Sequence, residues 1–235
     1  MPAAPIRNRI LSALPPKDLR RISSKLEPFQ LTYKETIVRP GDPIRHAFFP
    51  EEGAISLLSA TGGRAGGLEV GIIGSEGMLG LPLYLGTRVS QNTAVIKGAG
   101  SAHRMDAEDF LTECDGLGRL PYQLRRFTNA FLFQVSQSAV CFRFHPAEKR
   151  LARWLLMMGD RVGSLEYPVT QEFLSHMLGV RREAVNKCAG ELQKRGLIEY
   201  SRGHLRISSR SRLQRLACEC YFSIKKEEIG ADNQN

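Results

Sequence analysis

Arg182, Glu183, Asn186 and Lys187 are the residues of this sequence whose types and spacing best suit selective polar chemistry. On a helix they share one face. None stands with a histidine or second carboxylate in a catalytic pattern. Their chemistry is hydrogen bonding to a polyanion. Arginine can donate two bonds to guanine O6 and N7, and glutamate can accept one from cytosine N4. Arg181 just before them, and Arg202, His204 and Arg206 further on, add donors suited to phosphates.

The residues around this set predict what holds it. Phe173, Leu174, Met177 and Leu178 recur at helical spacing, and Gly179 stands where a first helix must stop. Thr170 is placed to cap that helix, and the amides behind it could hold a phosphate. Val185, Ala189 and Leu192 form the apolar stripe of a second helix whose opposite face is the charged one. Gly196 ends it, Leu197-Ile198-Glu199-Tyr200 reads as a strand, and Ser201-Arg202-Gly203 turns into Leu205-Arg206-Ile207. Helix, turn, helix and β wing predict a DNA-binding winged helix with the second helix in a major groove.

Composition agrees and narrows the class. A formal net charge of +9 favours a polyanionic partner, and 42% hydrophobic with 24% charged residues suits a globular protein. No apolar run reaches the ~18 residues that span a bilayer. The opening MPAAPIRNRI lacks a secretory apolar stretch, and five cysteines form no framework, so a cytoplasmic protein with reduced thiols is expected.

Ahead of the winged helix the pattern changes twice. Short β-like runs at Phe29–Tyr33, His46–Phe49, Ala54–Ser59, Leu68–Ile73, Thr93–Lys97 and Ser101–Met105 alternate with turns such as Thr61-Gly62-Gly63 and Gly74-Ser75-Glu76-Gly77. They predict a small β-barrel or jelly roll, with short helices over Asn8–Leu26 packed against it. From Pro121 to Phe144 the spacing predicts one long helix, stopped by His145-Pro146. Its apolar residues form two stripes, Leu124, Phe127, Phe131, Val135, Phe142 and Ala130, Phe133, Val140, Phe144. One stripe can lie on the barrel; the other is read as meeting the same helix of a second subunit. A helix over Pro146–Arg161 opens the last part. The expected organisation is α+β: a sensor barrel at 1–120, a dimerisation helix at 121–145, the winged helix at 146–220 and a frayed tail at 221–235.

Three stretches carry a family resemblance: Thr32–Leu58, His145–Val162 and Thr170–Ile198. Over nearly its whole length the chain resembles the Crp/Fnr family of bacterial transcription regulators. The resemblance implies a cyclic-nucleotide-binding-like jelly roll, a long dimerisation helix and a winged helix-turn-helix. It also implies a homodimer on double-stranded, palindromic DNA, with RNA polymerase as a further partner. Arg182, Glu183 and Lys187 match the family's base-contacting positions. Lys187 stands where many members have a second arginine, and it cannot fork.

Family members that bind cyclic nucleotides use a glutamate for the ribose and an arginine for the phosphate. Those positions fall within Leu79–Pro82 and near Gln91 or Asn92, and neither charge is present. A buried phosphate without a cation is unfavourable, so cAMP binding of the usual kind is not expected, although Arg88 stands a few residues away. The effector, if one exists, stays open. Iron–sulfur sensing of the family's type needs an N-terminal cysteine cluster, and the first cysteine is Cys114.

No metal or cofactor is expected. The histidines are scattered, and Cys218 and Cys220, two apart on an expected helix, should face different ways. Cys188 is a candidate redox switch, because neighbouring Lys187 could lower its thiol pKa. No phosphate loop, paired carboxylate or metal spacing indicates an enzyme. The competing class is a ligand-binding regulatory module that acts on a protein partner.

Overall fold

The computed structural model describes residues 6–61 and 64–230. Two short helices, α1 (Arg9–Ser12) and α2 (Pro16–Ser23), precede β1 (Glu27–Leu31), β2 (Thr36–Val38), β3 (His46–Pro50), β4 (Ala54–Thr61) and β5 (Arg64–Ile73). Helix α3 (Leu81–Tyr84), β6 (Thr93–Gly98), β7 (Gly100–Asp106) and α4 (Ala107–Asp115) complete this part. The strands form two antiparallel sheets, β1-β7-β3 and β2-β6-β4-β5, the two layers of a jelly roll. Leu31, Phe48, Ile55 and Ile96 fill the space between the sheets. Phe49, Met105, Phe110 and Leu124 seal the outer side beneath the helices. The six expected strands are all present, with ends shifted. The Gly62-Gly63 break lies outside the described residues.

Helix α5 (Leu120–Phe144) has 25 residues, a rod of about 37 Å. Leu120, Leu124 and Phe127 are buried on the barrel. Gly77 is required there, since a Cβ would stand 2.1 Å from the Phe127 ring. Midway, Gln134 clamps the sheet edge: its Oε1 accepts from Ile72 N at 2.8 Å and its Nε2 donates to Ile72 O at 3.2 Å. Two residues of the expected second stripe, Val140 and Phe144, are left exposed, joined by Leu132 from outside it. Leu132, Val140 and Phe144 are 60%, 43% and 70% exposed, whereas Phe133 packs against the C-terminal core.

Helix α6 (Ala147–Val162), β8 (Glu166–Pro168), α7 (Gln171–Leu178), α8 (Arg182–Lys194), β9 (Ile198–Ser201), β10 (His204–Ile207), α9 (Arg210–Leu216) and α10 (Glu219–Gly230) follow. The wing sheet has the order β8-β10-β9, its outer strand β8 being absent from the sequence reading. Trp154, Phe173, Leu174, Val185 and Leu192 share one core.

That core continues into the barrel through Ala54, Leu58, Ile72 and Val95. At the junction Trp154 Nε1 donates to the buried Glu69 carboxylate at 2.7 Å, and Lys97 Nζ stands 4.0 Å from the Phe173 ring centroid. The expected frayed tail is corrected up to residue 230. Tyr221 and Ile224 are buried, and buried Arg161 joins Glu76 of the barrel to Glu228 at 2.8 and 2.7 Å. The polar character of this stretch hides two apolar residues three apart, which a helix brings to its inner face.

Candidate nucleic-acid interface

The first helix of the pair, α7, is set by local chemistry. Thr170 takes extended angles and its Oγ1 accepts from Phe173 N at 3.2 Å, a side-chain cap. Gly179 closes α7 at φ +63°, which fixes the turn into α8. Arg181 is the residue before the first turn of α8 and leaves that helix without a side-chain cap. Val185, Ala189 and Leu192 bury one side of α8 against α7 and α6, so register alone drives the other side outward.

Arg181, Arg182, Glu183, Asn186 and Lys187 are all exposed or part-exposed on that outward side. Arg182 is held loosely, its guanidinium 3.0 Å from Glu172 of α7 with both side chains more than half exposed. The wing stands nearby. Its two-residue turn, Arg202-Gly203, has φ +49° and +79°, the pair of positive angles that a tight antiparallel hairpin requires. Gly203 meets this freely; Arg202 does so against its side chain, and its guanidinium is exposed beside His204. Val169 N donates to Gly203 O at 2.8 Å and Tyr200 Oη donates to Val169 O at 3.0 Å, tying the wing to the start of α7. Arg206 leans towards Glu199 at 3.7 Å. Every one of the expected DNA-facing residues therefore lies on the α7 N-terminus, the outer face of α8 or the wing.

Cys188 departs from expectation. It is half-buried against the C-terminal core, and burial, reinforced by Glu148, raises its thiol pKa against the opposing pull of Arg150 and Lys187. Burial is thus the largest influence on this thiol, and Lys187 only partly offsets it.

In the barrel a cavity of about 780 Å³ opens between the sheet and α5. Leu79, Leu81, Pro82, Gln91 and Asn92 line it together with Phe127, Phe131 and Leu132. The two segments that the resemblance assigns to nucleotide contacts thus do face a cavity, without their charges. Arg88 does not stand in: it pairs with Glu108 at the surface.

One grouping was missed altogether. Cys141, His145, Cys218 and Cys220 converge, their ligand atoms all within 4.8 Å of one another. The expectation that Cys218 and Cys220 diverge fails because α10 begins only at Glu219, which leaves Cys218 outside the helix. The spacing Cys141-x3-His145 beside Cys218-x-Cys220 is a signal that sequence reading could have used.

A helix pair with an outward cationic face, followed by a β wing and set behind a jelly roll, defines a winged helix-turn-helix DNA-binding regulator with a sensor-type barrel. Residues 149–216 match the Crp-like helix-turn-helix domain. The CRP-like cAMP-activated global transcriptional regulator of Mycobacterium tuberculosis is 25% identical over 221 residues, 90% of this chain and 97% of that protein. Among solved structures, FixK2 from Bradyrhizobium japonicum superposes with a TM-score of 0.66 at 16% identity, covering 82% of this chain and 98% of that one. A CRP-family transcriptional regulator from Thermus thermophilus gives 0.65 at 19% identity over 81% and 96% of the two chains. The chain thus carries a Crp-like helix-turn-helix domain and, over most of its length, is similar to CRP-like transcriptional regulators and shares the fold of Crp/Fnr regulators.

Proposed function

We propose that this regulator binds a two-fold symmetric operator as a homodimer and reads it with Arg182, Glu183, Asn186 and Lys187. The outward, unburied set of these four side chains on α8 carries the reading. Arg182 and Glu183 take base edges; Lys187 donates as a point charge. Arg181, Arg202, His204 and the amides behind Thr170 hold phosphates and set register. The exposed Leu132, Val140 and Phe144 support pairing of two α5 helices, and a rod of this length suits reading helices one DNA turn, about 34 Å, apart. The resemblance supports action on RNA polymerase at the bound promoter. It supports a cytoplasmic site of action, to which the lack of any helix long and apolar enough to cross a membrane, among the described residues, raises no objection.

We further infer that the barrel does not take cAMP in the usual way. Gln91 and Asn92 line the cavity where a cation would be needed, and Arg45 at its edge is exposed. Calorimetry with cAMP should give no binding heat, and saturable binding at micromolar ligand would overturn the inference. Selection of bound fragments from random duplexes at a fixed salt concentration tests the DNA reading. A palindrome is the expected result. Recovery of fragments without a common motif would sink the reading.

A further inference from the structure

We propose that Cys141, His145, Cys218 and Cys220 bind one zinc ion, a closed structural site that fastens the C-terminal helix α10 to the end of the long helix α5. The ligand set is three thiols and one imidazole, a combination that suits tetrahedral zinc. Two edges of the set are given directly: Cys141 Sγ to Cys218 Sγ is 3.5 Å, and Cys220 Sγ to His145 Nδ1 is 3.6 Å. Zinc bonds of ~2.3 Å to sulfur and ~2.0–2.1 Å to nitrogen imply tetrahedral edges of roughly 3.8 Å and 3.6 Å. The side chains already stand close to those separations.

Local backbone structure makes the convergence. Cys141 and His145 are one turn apart at the end of α5, and His145 N donates to Cys141 O at 3.1 Å, which holds the pair on one face. On the other side Cys218 precedes α10 and Tyr221 N donates to its carbonyl at 3.1 Å, so the chain wraps and brings Cys220 round to the same side. The three cysteines are at most 1% exposed and form a small core of their own, apart from the larger apolar clusters. Buried apolar packing alone gives no reason to gather three thiols and an imidazole.

The surroundings complete the site. His145 turns Nδ1 inward and puts Nε2 3.0 Å from Glu219 Oε1. A carboxylate on the far nitrogen is the usual partner of a metal-bound histidine and fixes its tautomer. Zinc with three thiolates and a neutral imidazole carries one net negative charge; binding releases the thiol protons to solvent. Arg153, itself buried, exerts its positive charge on all three cysteines, and its Nε has no hydrogen-bond partner. A multi-iron cluster spreads its thiolates over separate irons, so four ligand atoms within 4.8 Å of one another favour a single ion.

The test uses the full chain. Metal analysis of protein purified without chelator should find one zinc per subunit. Cobalt(II) added to metal-free protein should give the intense visible bands of a tetrahedral thiolate site, displaced by zinc. Cys141→Ser and Cys220→Ser should lose the spectrum, while Cys114→Ser and Cys188→Ser keep it. Glu219→Gln leaves all four ligands in place and should weaken zinc affinity about tenfold. Folded wild-type protein that takes up no cobalt, that gives only a weak six-coordinate spectrum, or that carries iron instead of zinc would overturn the proposal. So would unchanged spectra in both ligand variants.

Discussion

Arg182 offers the sharpest test of the DNA-reading mode, because its free-state contact is weak enough not to confuse the outcome. Its pair with Glu172 joins two side chains that are 58% and 61% exposed. Exposed pairs of this kind contribute about 0–1 kcal/mol. Arg182→Ala should therefore leave the unfolding free energy within about 1 kcal/mol of wild type. A bidentate contact to guanine carries about 1–3 kcal/mol of discrimination, which is roughly 5- to 140-fold at 1.4 kcal/mol per decade. A dimer makes the contact twice, so the full operator should lose about 2–6 kcal/mol. Fluorescence anisotropy on the selected operator, and on operators with one base pair changed in one half-site, measures both quantities. The wild type should discriminate at one position per half-site and the variant should not. Glu172→Gln, which frees Arg182 without shortening it, should bind no more weakly than wild type. A loss equal for all sequences, with the salt slope reduced by about 0.9 per contact, would make Arg182 a phosphate contact and refute the assignment.

Further outcomes follow from other contacts. Leu132→Glu places a charge on the exposed face of α5; losing the 60% of each leucine that pairing would newly bury should cost about 2–4 kcal/mol of dimer stability over the two subunits, read as a shift to monomer mass in light scattering at micromolar concentration. An unchanged dimer would move the subunit contact elsewhere. Arg202→Asn tolerates the positive φ of the wing turn; it should keep or raise thermal stability while lowering DNA affinity equally for all sequences, and a loss confined to one base position would contradict a phosphate role. Burial raises the pKa of Glu69 despite its bond from Trp154. The folded state then holds that proton more tightly than the unfolded state, so this group's contribution to stability falls as pH rises from the ordinary carboxylate range through its raised value. Denaturation across that window should show a decline in wild type that Glu69→Gln, which still accepts from Trp154, does not share.

What could be read from sequence was what neighbours in the chain decide. Gly179, the apolar stripe Val185, Ala189, Leu192 and the cap Thr170 act within a few residues, so the helix pair and its outward charges were legible in the chain itself. The wing turn was legible for the same reason. Strand β8 was not, because Glu166–Pro168 becomes a strand only by pairing with β10. The tail was misread because its polarity is local, whereas the burial of Tyr221 depends on Asp160 and Arg210, whose side chains reach its hydroxyl.

The same distinction explains why the cysteine–histidine cluster escaped notice while the proposed recognition residues did not. A reading face is one helix seen from one side. The cluster needs the last turn of α5, the N-terminal approach to α10 and the intervening winged helix folded so that residues 77 apart, Cys141 and Cys218, meet at 3.5 Å. That closure is one of several ties between α10 and the rest of the chain. Helix α10 is joined to α5 at Asn129–Glu227, to α6 through Asp160–Lys225, and through Arg161 to Glu76 of the barrel. Any shift of α8 relative to α5 must be accommodated by these ties or break them. The winged helix is therefore not a freely tethered module: it is tied to the barrel by Trp154–Glu69 and Arg161–Glu76, and to the rod by α10.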